Sequence, residues 1–115
     1  MKAILVCTDL IFSSKITGTA KELNVDISVA LSTAGAVKTV TPDTNLVLVD
    51  LSNPANTSES DLVALKQALP ATAKLIAYGS HVDIARLEAA RRAGCDAVLP
   101  RSAFVQQLVD ILSGT

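Results

Sequence analysis

The stretch Leu46-Val47-Leu48-Val49-Asp50-Leu51-Ser52-Asn53-Pro54 begins with four consecutive apolar residues, reaches a carboxylate, and then runs into turn-forming residues. A short apolar run without alternation reads as a strand covered on both faces, and Ser52, Asn53 and Pro54 mark where it stops. Such a strand needs helices above and below it. Outward from it, apolar runs and helical patterns alternate five times along the chain, without a linker, repeat or low-complexity tract. That alternation predicts a parallel sheet wrapped by helices. The predicted strands are Ala3 to Cys7, Val25 to Leu31, Leu46 to Asp50, Leu75 to Tyr78 and Ala97 to Leu99.

The strands differ in pattern, and the difference predicts their order. In the second, Val25, Ile27, Val29 and Leu31 alternate with Asp26, Ser28, Ala30 and Ser32, as an edge strand with one face near water should. The first, third and fourth are continuous apolar runs and belong in the centre, while the short fifth closes the other edge. The order 2-1-3-4-5 satisfies these requirements: a flavodoxin-like (βα)5 fold, a three-layer α/β/α sandwich.

Helix boundaries are also legible. Ser58 with Asp61 reads as a capping signal ahead of Leu62, Leu65 and Leu69, and Pro70 stops that helix. The fourth helix is predicted from Val82 to Ala93 with Gly94 ending it, and Ser102 as the cap of a last helix bearing Phe104, Val105, Leu108, Ile111 and Leu112. The first and second helices are read as Ser14 to Leu23 and Ala34 to Val40. Arg86, Arg91 and Arg92 on the fourth helix have Glu88 within pairing distance of two of them, which reads as a solvated helix surface.

With 115 residues, half of them apolar, the chain suffices for one domain, residues 1–115, with one core. Ten Lys plus Arg against eleven Asp plus Glu leave a net charge of -1, so no global field draws the chain to nucleic acid or an anionic membrane. Phe12, Tyr78 and Phe104 are its only aromatic residues, too few and too scattered in sequence for a base-stacking platform. The apolar opening Met1 to Cys7 is too short for a signal-peptide core or a membrane span, and the chain reads as cytoplasmic. Cys7 and Cys95 lack ligand spacing and read as small buried hydrophobes.

Ligands of an open parallel sheet bind at the carboxyl ends of the strands, at the switch point between strands one and three. Thr8 and Asp9 follow strand one, Asp50 ends strand three, Gly79, Ser80 and His81 follow strand four, and Pro100 and Arg101 follow strand five. Two carboxylates, hydroxyls and a guanidinium on one rim make a candidate anion or metal site. Asp50 can equally be a sheet-end carboxylate held by loop amides, Asp9 a turn or helix cap, and Arg101 an ion-pair partner of either. Cys7, His81 and Asp50 supply the parts of a nucleophile system, but no oxyanion site accompanies them, and His81 reads as a loop or first-turn residue. No Gly-rich loop follows strand one.

Over the whole chain this arrangement resembles the receiver domain of bacterial response regulators, the CheY-like superfamily. The stretch from Val47 to Pro54 is similar to the family's segment around its phosphorylatable aspartate, including the proline four residues after Asp50. Asp9 matches one of the acids after strand one, and Arg92-Ala93-Gly94-Cys95-Asp96-Ala97-Val98-Leu99-Pro100-Arg101 is similar to the alanine-glycine-alanine segment leading to a lysine. The resemblance implies Asp50 as phospho-acceptor, Mg²⁺ held by Asp9 and Asp50, and a hydroxyl and a cation contacting the phosphoryl group. It implies no enzyme activity beyond self-phosphorylation and dephosphorylation at Asp50. It also implies a protein partner on the face of the fourth helix, fifth strand and fifth helix, with a histidine kinase and a second copy as further partners.

Several positions depart from the family. Thr8 replaces one acid, which weakens the metal site; Gly79 takes the hydroxyl position, with Ser80 adjacent as the substitute contact; Arg101 replaces the lysine with a planar fork. Ser102 stands where the family has a proline and Val98 where it has its switch aromatic. The reading is therefore an atypical receiver acting through protein contact. The alternatives are a conventional phospho-receiver using Asp50 with Mg²⁺, and a non-covalent small-molecule or anion sensor using Arg101 and Ser80.

Overall fold

A computed structural model of the chain describes residues 1–53 and 57–114; Pro54, the proline of the resemblance, lies outside the described residues. Five strands and five helices alternate: β1 (Lys2–Val6), α1 (Leu10–Glu22), β2 (Asp26–Ala30), α2 (Thr33–Thr39), β3 (Leu46–Asp50), α3 (Glu59–Ala68), β4 (Lys74–Gly79), α4 (Ile84–Arg92), β5 (Ala97–Pro100) and α5 (Arg101–Ser113). The sheet is parallel throughout with order β2-β1-β3-β4-β5, the flavodoxin-like arrangement. No helix among the described residues is long and apolar enough to cross a membrane.

Strand periodicity divides the core in two. Ile4, Val6, Val47, Val49, Leu75 and Ala77 face one way and pack with Ala36 of α2, Leu62 and Leu65 of α3, and Leu87 and Ala90 of α4. Ala3, Leu5, Cys7, Leu46, Leu48, Ile76 and Tyr78 face the other way, against Ile16 and Ala20 of α1 and Phe104, Leu108 and Leu112 of α5. The central β3 is buried at every residue. Asp50, two residues past Leu48, points by the same alternation to the α1 and α5 side.

Local chemistry sets most boundaries. At α3, Ser58 and Asp61 form a reciprocal capping box. After α4, Gly94 adopts φ 98°, a left-handed turn that favours glycine. Three readings need correction. Helix α1 begins at Leu10, four residues before the predicted Ser14, because Asp9 caps it by accepting from the Ile11 and Phe12 N–H groups. Helix α5 begins at Arg101 with no side-chain cap, so Ser102 lies inside it. In β2 the alternation holds only at the start: Val25 and Ile27 pack with Ile16 and Ala20, but Val29 and Leu31 are exposed and Ala30 is buried against the opposite face. The buried stripe of α1, Ser13, Ile16 and Ala20, stops short of the end of that strand.

Candidate functional site

Strand register brings the site together before any side chain is considered. Asp50 pairs in the ladder with Tyr78, and Val6 with Val49, so Cys7, Asp50 and Tyr78 stand at neighbouring strand ends on one face. Asp50 is 4% exposed. Its Oδ1 accepts the Ser52 N–H at 2.9 Å, and its Oδ2 accepts the Cys7 thiol at 3.5 Å. Arg101, the first residue of α5, places Nη2 3.7 Å from the same Oδ2. Burial first, with a smaller contribution from the charge of Asp50, pushes the Cys7 thiol above its usual range, although a bond to the Asp9 carbonyl opposes it. The thiol is therefore protonated at neutral pH and available as the donor.

Behind these groups stand all three aromatic residues of the chain. Tyr78 stacks on Phe104 with centroids 4.1 Å apart, and Phe12 tilts against Tyr78 at 5.4 Å. The Arg101 guanidinium lies over the Phe12 ring, 4.8 Å from its centroid. Among the described residues the buried Tyr78 hydroxyl has no partner at hydrogen-bond geometry, and burial, reinforced by the charge of Asp50 and by the neighbouring Cys7, pushes the phenol far above its usual range. The cavity beside Asp50, walled by Val6, Cys7, Thr8, Leu31, Asp50, Asn53 and Thr57, holds about 10 Å³. That is room for about one water.

The other predicted site residues make other contacts. Asp9 spends its Oδ1 on two helix N–H groups at 3.0 Å. Ser80 lines a separate cavity of about 110 Å³ with Leu51, Ser52, Gly79, Asp83, Arg86 and Leu87, whose wall includes neither Asp50 nor Arg101. At Gly79 a Cβ would sit 3.2 Å from the Leu51 Cβ, so Leu51 occupies the space a side chain there would need. His81 is exposed in the turn before α4 and does not join Cys7 and Asp50. The α4 arginines do not use Glu88 as expected: Arg86 pairs with Asp83 at 3.1 Å and donates to the Leu51 carbonyl, and Arg92 reaches Glu59 of α3 at 3.0 Å. Arg92 finds its acid on a neighbouring element, and Arg86 uses Asp83, which caps its own helix.

Mg²⁺ requires near-octahedral oxygen ligation. Asp9 caps α1 through Oδ1, Asp50 already accepts from an N–H and a thiol and pairs with a guanidinium at 3.7 Å, and Thr8 supplies no charge. No group of three or more His, Cys, Asp or Glu side chains gathers among the described residues. These residues do not fit a preformed Mg²⁺ centre, and Arg101 supplies the positive charge at Asp50.

The feature that sequence reasoning missed is the thiol. Cys7 reads as a buried hydrophobe and is 3% exposed, but it also donates to Asp50. The signal was its position one residue past β1 on the same face as Asp50.

No family model and no curated protein matches the chain. Solved structures do. A response regulator from Burkholderia pseudomallei, crystallised with a phosphorylated aspartic acid, calcium and citrate, is 18% identical with a TM-score of 0.78. It covers 96% of this chain, which spans 65% of that one. The Francisella response regulator 1452 receiver domain is 19% identical with a TM-score of 0.75, covering 98% of this chain and 96% of its own. A Saccharomyces cerevisiae response-regulator receiver domain, crystallised with a histidine phosphotransfer signalling protein, is 13% identical with a TM-score of 0.75, covering 96% and 87%. The chain has the fold of response-regulator receiver domains.

Proposed function

We propose that residues 1–115 form one receiver-like signalling domain that acts through contact with a protein partner and not as a robust phosphorylation switch. The observation that carries this is the closed state of Asp50: 4% exposed, both oxygens engaged, and served by a cavity of about 10 Å³. A phosphoryl group reaches neither oxygen without displacing one of these partners.

Around this closed carboxylate the surface is apolar. The five most exposed large apolar residues among those described are Ile11 at 87%, Leu10 at 79%, Val82 at 74%, Leu31 at 66% and Ile84 at 65%, all just past the carboxyl ends of strands. Such a concentration suits protein contact. The face of α4, β5 and α5 is a second surface by resemblance, with β5 half-buried along its length and Val109 exposed. The yeast neighbour, seen with a histidine phosphotransfer protein, supports a partner of that class; a histidine kinase or a second copy of the chain are the others. In this reading the domain is cytoplasmic and has no enzyme activity.

A second reading, phosphorylation of Asp50 with slow turnover, is favoured by its place at the end of β3 and by the phosphorylated aspartic acid of the Burkholderia neighbour. It requires Arg101 to leave Oδ2. The anion-sensor reading lacks such support, because Arg101 and Ser80 are not brought to a common cavity. Incubation with a small phosphodonor, with and without Mg²⁺, followed by intact-mass measurement tests the proposal. An unchanged mass is expected; stoichiometric modification that Asp50→Asn abolishes overturns it.

A further inference from the structure

We infer that Asp50 is guarded by a latch in which the Phe12 ring holds the Arg101 guanidinium over the carboxylate, so that the first turn of α1 controls access to Asp50. The inference rests on the reading of a receiver-like domain whose Asp50 is closed, and adds what keeps it closed.

Two contacts fix Arg101, and neither suffices alone. Its Nη2 is 3.7 Å from Asp50 Oδ2, beyond direct hydrogen-bond distance, so the ion pair attracts the guanidinium without setting its orientation. The Phe12 ring, 4.8 Å from Arg101 Cζ, supplies the second contact. Phe12 is in turn held by Tyr78 at 5.4 Å and Phe104 at 6.3 Å, so the ring is a fixed platform for a cation that is itself 40% exposed. Arg101 opens a helix that has no side-chain cap. It is also absent from the wall of the water-sized cavity, so cavity and guanidinium close Asp50 from different directions.

The latch reaches the surface through one turn of helix. Leu10 and Ile11, the two most exposed large apolar residues described, directly precede Phe12, and Asp9 binds the N–H groups of Ile11 and Phe12 together. Shifting that turn withdraws the platform and leaves the half-exposed Arg101 held only by its 3.7 Å ion pair with the buried Asp50. The turn thus bears on the carboxylate through the cation.

Labelling of carboxylates with a water-soluble carbodiimide and an amine, with peptide mass mapping of Asp50, measures the latch directly on the whole chain. Phe12→Leu is expected to speed labelling about two- to five-fold, the range that a partly exposed cation–π contact supports. Arg101→Ala is expected to speed it on the order of tenfold, and the double variant to match Arg101→Ala alone, because Phe12 acts through Arg101. Unchanged labelling in Arg101→Ala overturns the latch. So does an equal gain in Phe104→Leu, which loosens the same aromatic cluster without touching the guanidinium. Stoichiometric phosphorylation of the wild-type chain would overturn the interaction reading and leave the latch standing.

Discussion

Under α2, α3 and α4 the sheet meets mainly aliphatic side chains and no aromatic one, Leu62, Leu65, Leu87 and Ala90 against Val47, Val49 and Leu75; under α1 and α5 it meets every aromatic residue of the chain, the Cys7 thiol and a buried carboxylate. The first face buries no charged side chain, so packing dominates its stability. The second must hold Asp50, Cys7 and Tyr78 in a dry place, where an unmade hydrogen bond is costly. It makes those bonds incompletely: one N–H at 2.9 Å, a thiol at 3.5 Å, a guanidinium at 3.7 Å, and a phenol with none. A fold that solves one face cleanly and leaves the other partly unsatisfied is specialised on the second.

The largest effect belongs to the aliphatic face. Leu65→Ala, at a fully buried position of α3, is expected to cost about 3 kcal/mol in denaturant unfolding, the sum of lost transfer energy and an unfilled cavity. A loss under about 1 kcal/mol would show a face that collapses around the gap and would remove the contrast.

The next effect sets the two carboxylates apart. Asp96, beyond the amino end of β5, accepts from Lys66 Nζ and the Leu75 N–H, both at 2.8 Å, and ties β4 to α3. Burial acts to raise its pKa, but these bonds outweigh it and hold the carboxyl below its usual value. Asp96→Ala is expected to cost about 1.5 kcal/mol at neutral pH, toward the low end for bonds to a charged group because the site is partly exposed. The sign of its pH dependence follows from the lowered folded value. The contribution is complete above the ordinary value of 3.8 and lost as pH falls through the lower folded one. The gap between wild type and variant in urea melts should therefore narrow below about pH 4; a gap constant to pH 2 would sink the assignment.

How far the sequence carried each face follows from the physics. The run Leu46 to Asp50 is the observed β3 to the residue, since a doubly covered strand needs no alternation to be recognised. The Ser58 and Asp61 cap and the turn at Gly94 were legible because capping is local chemistry. Helix α1 was misplaced because its first turn carries Leu10 and Ile11 outward, so an amphipathic pattern begins only after them. The outward Val29 and Leu31 broke the β2 pattern for the same reason: apolar residues at the rim do not obey the period of a core-facing surface. Asp50 could be placed by strand patterning and Cys7 by its parity with Asp50. The stacking of Arg101 on Phe12 joins residues 89 positions apart and depends on how α5 enters, for which no local pattern exists.

The smallest effects fall at the unsatisfied end. Cys7→Ala removes a buried sulfur and the weak thiol bond to Asp50, and about 1 kcal/mol of stability is expected to go with it. Consistent with a thiol pushed up by burial, the native chain should react with a thiol reagent at neutral pH far more slowly than the unfolded chain. Tyr78→Phe is the sharper test, because its sign is opposite. The hydroxyl is buried and unpartnered, so deleting it removes a desolvated donor while the ring keeps its stack on Phe104. A gain of up to about 1 kcal/mol is expected, read as a rise of about 4 °C in Tm for a domain of this size. A loss of that size would mean that the phenol donates within the cluster, to Cys7 or Asp50, and that the aromatic face is as fully satisfied as the aliphatic one. A gain identifies a hydroxyl kept at a cost beside the one buried carboxylate among the described residues, where a rearrangement that frees Asp50 from Arg101 would give it an acceptor.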